Sequence, residues 1–189
     1  MRTDLEPYEA ERHLLLGTQD SASTLASLHY DWYTSDAPHT APLYCARGVL
    51  PYLLTGNLRA ANKFFLLFTS SLEKAPNPPT QPVSTKSSEL RVYPSLPLLN
   101  FLGLLLLSVE RGDPSLWRQL KSHYAGDLKD VNWNEALDQI GEMYFGIKIP
   151  RQGNPMFDML GSMFGGGMGG NAPAKKAVGG RAPPSAGLD

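Results

Sequence analysis

The residues that could do chemistry in this chain begin with four histidines: His13, His29, His39 and His123. A metal site needs three or four converging ligands, and these four carry no HExxH-like spacing. The single cysteine, Cys45, excludes an internal disulfide framework and a cysteine-only metal site. The histidines therefore read as surface or core-edge side chains. Cys45, within an apolar helical stretch, reads as a buried structural thiol. The run "GGGMGG" at 165–170 lacks the Gly-Lys-Ser/Thr of a phosphate loop and is not followed by a helix, so it reads as a flexible tail. "GTQDSAS" has no Gly-x-Ser-x-Gly context. No acidic pair recurs at a helical register that suggests a catalytic dyad. The expectation is a protein that is not an enzyme and uses no metal and no cofactor.

What remains is apolar recognition. Leu98–Val109 reads "LLNFLGLLLLSV", nine of whose twelve residues are large aliphatics or Phe. A membrane-spanning helix needs about 20 apolar residues, and this run stops at Glu110-Arg111. Met1–Tyr8 is charged and no apolar segment of a signal peptide follows, so a cytoplasmic protein without direct membrane insertion is expected. A net charge of −1 gives no electrostatic case for nucleic acid. A second apolar candidate is the short helix near 154–164, where Met156, Met159 and Met163 alternate with Phe157, Leu160 and Phe164. Methionine faces adapt to varied surfaces, and here the face packs back on its own fold or docks a partner.

The elements that must position these residues are helices. "EPYEAERHLLLG" reads as one, ended by Gly17. Asp20 is placed to cap the next, with Leu25, Leu28 and Trp32 on its inner face. "APLYCARGVLPYLLTGN" follows, kinked at Pro51 and stopping near Gly56. Asn57 caps a fourth, striped by Leu58, Ala61, Phe65, Phe68 and Leu72. Six of the 16 prolines fall in 76–97, so no helix crosses that stretch. "PVST" and "ELRVY" are placed there to pair as a small β-hairpin at about 83–93, which needs something to pack on. The Leu-rich helix then runs to Gly112. It is apolar all round, with Leu98, Leu102, Leu105 and Val109 on one face and Phe101, Leu104 and Leu107 on another, so it is buried on more than one side. Asp113-Pro114 starts a helix bearing Leu116, Trp117, Leu120 and Tyr124. The last strong helix carries Trp133, Leu137, Ile140 and Tyr144, with Asn132 and Glu135 spaced for a capping interaction.

Short helices, short connections and small residues such as Ala10, Ala60 and Ala61 suggest an all-α fold. It is an α-solenoid of stacked antiparallel helix pairs, tetratricopeptide-like, with the hairpin inserted. The expected organisation is a helical repeat block over 1–74 and a Pro-rich loop with the possible hairpin over 75–97. A second helical block spans 98–164, and a disordered Gly/Pro-rich tail covers 165–189.

Several stretches together point to a family. "YEAERHLLLGTQDS" with the following "YDWY", "RGVLPYLLTGNLRAANKFF", "LLNFLGLLLLSVERGD", "LKSHYAGDL" and "EMYFGIKIPRQGNPMFDMLGSMFGGG" occur in order over about 8–167. The chain resembles the C-terminal part of the Golgi-to-ER traffic protein four family. That resemblance implies a cytosolic, noncatalytic scaffold in the targeting of tail-anchored proteins to the ER membrane. In the family the C-terminal half holds the N-terminal segment of a ubiquitin-like protein beside the hairpin, and the N-terminal half docks a targeting ATPase. This chain matches from the later helices onward, so ATPase docking is not carried over to it. The resemblance and the all-round apolarity of the Leu-rich helix place the partner's amphipathic helix on that helix. Its expected contacts are Leu90, Val92, Tyr93, Leu98, Phe101, Leu102 and Leu105, with the 83–93 segment as a flap. A generic helical-repeat interaction module of another cytosolic complex is the alternative on the same fold.

Overall fold

Helix α3, Ala41–Leu54, is the hub of the fold, with α1, α2, α4, α5 and α7 all packed on it. The computed structural model describes residues 6–17, 20–75 and 92–148, with backbone alone at 6 and 7. The other helices are α1 (Glu6–Leu15), α2 (Ser21–Tyr33), α4 (Leu58–Glu73), α5 (Pro97–Arg111), α6 (Pro114–His123) and α7 (Asn134–Phe145). Single 3₁₀ turns lie at Pro38–Thr40 and Asp127–Asp130. No strand occurs among the described residues, and the fold is an all-α helical solenoid. Of the expected hairpin only Val92 and Tyr93 are described, and neither is in a strand. The rest of it, including Leu90, lies outside the described residues, as do the Met/Phe segment and the tail.

Several terminators follow from local chemistry. Asn57 caps α4 by accepting from the Ala60 N–H at 3.0 Å. Gly56, Gly112 and Gly146 have positive φ and end α3, α5 and α7. Other expectations are corrected. Asp20 occupies the N-cap of α2, yet its side chain makes no capping bond. Helix α7 starts at Asn134 after Trp133, so Asn132 and Glu135 form no capping box. Helix α3 runs past Pro51 and stops at Leu54, two residues before Gly56, as expected.

Burial also revises two stripes. On α2 the inner face is Ala22, Leu25, Ala26, His29 and Tyr33, not the Leu25/Leu28/Trp32 row. On α4 the central ring is Phe64, with Phe65 turned toward α5. On α4 both phenylalanines meet a glycine opposite. Gly48 of α3 faces the Phe64 ring, and a Cβ there would lie 2.3 Å from Phe64 Cζ. Gly103 of α5 gives the same access to Phe65, at 3.1 Å.

The surface of α1 is mostly polar, and its anchor is electrostatic. Glu11 is its buried side chain, 9% exposed. Its carboxylate accepts from Arg47 Nε at 3.2 Å and Nη2 at 2.5 Å. The guanidinium also lies over the Tyr8 and Trp32 rings, 5.5 and 5.4 Å from their centroids. Tyr52 adds a hydroxyl bond to the Leu14 carbonyl. Behind Glu11 sits His29, with no exposed surface. Its Nδ1 is 3.0 Å from the Tyr44 carbonyl and therefore carries the proton. Nε2 lies 3.2 Å from Glu11 Oε1 without the alignment of a hydrogen bond.

Burial pushes the His29 imidazole below its usual range, against the opposing pull of the Tyr44 carbonyl and Glu11. The unfolded chain then binds the proton first. Stability contributed by neutral His29 is complete above the usual pKa of 6.5 and is lost as pH falls below it. Urea unfolding across this range should show stability rising with pH, and His29→Gln should flatten that segment. A variant profile that parallels the parent through the same window would contradict the assignment.

Candidate functional site

Helix α5 is enclosed on three sides, by α3, α4 and α6, with the 127–130 turn also against it. Leu99, Phe101, Leu102 and Leu105 have no exposed surface. One edge stays open. Leu104 and Leu107 are half-buried along it, Asn100 is half-buried at one end, and Arg111 is exposed at the other. Between this edge and α6 runs a groove of about 430 Å³.

The turn between the helices sets the groove. Gly112, at φ 63°, donates its N–H to the Ser108 and Val109 carbonyls and closes α5. Asp113 then caps α6, its Oδ1 accepting from the Ser115 N–H at 2.7 Å, and the Ser115 hydroxyl together with that N–H lowers the Asp113 pKa. Pro114 supplies the fixed φ of the first helical position. Two helices joined this tightly must return antiparallel. From α5 come Leu104, Leu107, Ser108 and Arg111. From the α6 side come Leu116, Gln119, Leu120, His123 and Tyr124.

The walls are held from behind. Trp117 stacks on Phe145 of α7 with centroids 5.3 Å apart, and Lys121 pairs with Asp138 at 2.8 Å. Tyr124 packs edge-on against Phe101, and burial raises its hydroxyl pKa. The Ser108 hydroxyl is spent on the Leu105 carbonyl at 2.8 Å. The lining thus offers leucine side chains and a few polar groups at the rim, with no acid–base pair. No cluster of three or more His, Cys, Asp or Glu suited to a metal occurs among the described residues. Cys45 is fully buried, and burial pushes its thiol pKa well up.

The residues expected to touch a partner are dispersed by this arrangement. Leu98 is half-buried near the start of α5, and Val92 is half-buried ahead of it. Tyr93 is 2% exposed. Its N–H donates to Asn100 Oδ1 at 2.7 Å, and Asn100 Nδ2 donates to its carbonyl at 2.9 Å. Tyr93 thereby ties the chain onto α5 and does not face outward. Phe101, Leu102 and Leu105 belong to the core, so a partner cannot reach them while the core is closed.

Within the groove the half-buried apolar residues are Leu104, Leu107 and Leu116. A signal for them was in the sequence. Leu104, Leu107 and Arg111 stand at i, i+3 and i+7, so the first basic residue after the Leu-rich run falls on the face of its two half-buried leucines.

Fold and groove together define an α-solenoid protein with an apolar surface slot between two of its later helices. The family model for Golgi to ER traffic protein 4 matches residues 1–164, and the chain belongs to that family. The Aspergillus fumigatus Golgi to ER traffic protein 4 is 58% identical over 166 residues, covering 87% of this chain and 48% of that protein. The Schizosaccharomyces pombe protein of the same name is 33% identical over 162 residues, covering 85% and 52%. A solved structure, described as the crystal structure of C. therm. Get4, superposes with a TM-score of 0.73 at 53% identity. It covers 92% of this chain and 55% of that one. The chain spans about half the length of the curated relatives it matches. No helix among the described residues is long and apolar enough to cross a membrane.

Proposed function

We propose that the chain is a noncatalytic cytoplasmic scaffold of the pathway that targets tail-anchored proteins to the ER membrane. It holds a ubiquitin-like partner protein by accepting an amphipathic helix of that partner's N-terminal segment in the α5/α6 groove. Family membership supports the pathway. The single observation that supports the contact is the half-buried leucine edge of α5, which lines the groove against α6. Burying a Leu side chain contributes roughly 1.5–3 kcal/mol. Three such anchors offset part of the association cost and give specificity through their spacing.

Co-purification tests the reading. The tagged chain should retain the ubiquitin-like partner when the two are co-expressed, and Leu107→Asp should lose it without loss of folded protein. Retention of the partner by the folded Leu107→Asp chain would show that the contact lies elsewhere.

A further inference from the structure

The groove's polar groups are arranged along its length. The antiparallel helices put Arg111 and Leu116 at the turn end and Leu104, His123 and Tyr124 at the other. Leu104 to Arg111 is seven residues, or about 10 Å of helix, so the groove accepts roughly two turns of a partner helix. No acidic residue lines it.

Arg111 is exposed and forms no ion pair among the described residues. The two carboxylates next to it in sequence are engaged elsewhere. Glu110 accepts from Asn62 Nδ2 at 2.6 Å, and Asp113 caps α6. A guanidinium with both neighbouring carboxylates turned away presents its donor fork to whatever enters the groove. At the far end the exposed His123 ring stands edge-on to Tyr124 and makes no hydrogen bond among the described residues.

We infer that the groove selects an acidic amphipathic helix of a partner protein, one that sets a carboxylate on Arg111 and a hydrogen-bond acceptor two turns away on His123, either side of an apolar stripe. This inference rests on the scaffold reading and adds the charge of the occupant to it. Apolar contact supplies affinity, and the charged ends fix direction and register.

The test is a calorimetric titration of the full chain with the N-terminal segment of the ubiquitin-like partner, at low and high salt. Four proteins are compared: the parent, Leu107→Asp, Arg111→Ala and Arg111→Glu. Circular dichroism confirms that each is folded. Leu107→Asp should abolish binding. Arg111→Glu should weaken it about tenfold or more, Arg111→Ala less, and both should reduce the salt dependence. If Leu107→Asp abolishes binding while both Arg111 variants match the parent at both salts, the acidic occupant is wrong and the groove stands. If Leu107→Asp also matches the parent, the groove reading fails with it. A chain found by sedimentation to be a dimer that Leu107→Asp dissociates would assign the groove to a second copy and overturn the inference.

Discussion

Leu102→Asp should leave little or no folded protein, whereas Leu107→Asp, five residues along the same helix, should melt close to the parent. Leu102 has no exposed surface and lies within the packed core. An aspartate there loses the leucine's burial and puts a carboxylate where it meets no partner, a change that costs at least about 4 kcal/mol. Against a total stability of about 5–15 kcal/mol that approaches unfolding. Leu107 is half-buried on the open edge, and a polar replacement there costs about 1 kcal/mol. Thermal melts followed by circular dichroism separate the two. Equal melting temperatures would mean that α5 is not buried as described, and the division of its residues into core and groove would fall.

The second large effect lies at the α3–α4 contact. Phe64 stacks on Phe68 with centroids 6.1 Å apart, meets Tyr52 at 6.4 Å and takes the edge of His29 at 5.4 Å. Phe64→Ala should cost about 3–5 kcal/mol, because three surrounding rings lose contact at once. Gly48→Ala in the parent should also destabilise, by about 1–3 kcal/mol, since its Cβ would meet the Phe64 ring at 2.3 Å. In the Phe64→Ala background the sign should reverse. The obstruction is gone, and replacing glycine within a helix recovers up to about 1 kcal/mol. Urea denaturation of the four proteins in a double-mutant cycle measures this coupling. Additive effects would show that Gly48 is not there to admit the ring.

Those two contacts show what could be read from the residues and what could not. Helix positions were legible because their signals are local: Asn57 and Asp113 as caps, Gly56 and Gly112 as terminators, and prolines at first turns. Which face of a helix is buried was less legible, since it depends on the neighbour. Phe64 and Phe65 are equivalent in periodicity, and only Gly48 opposite decides that Phe64 takes the centre. The spacing of the histidines points to surface or core-edge positions, yet His29 is fully buried, because its partners Glu11 and Tyr44 come from two other helices.

The groove was half legible. The Leu-rich helix was recognised as both core and candidate surface. Leu102 and Leu105 are buried and Leu104 and Leu107 are not, although all four are leucines, because the packing of α3, α4 and α6 on α5 sorts them and residue type does not. The outward edge carries Arg111, just past the end of the run and on the face of Leu104 and Leu107.

On the proposed function, this chain holds a ubiquitin-like partner through the α5/α6 groove. Calorimetric titration of the 189-residue chain with that partner's N-terminal segment tests it most directly. Saturable binding at one to one, absent from the folded Leu107→Asp chain, is the predicted result. A well-folded chain that gives no heat of binding, or one that binds equally well with aspartate at position 107, would contradict it.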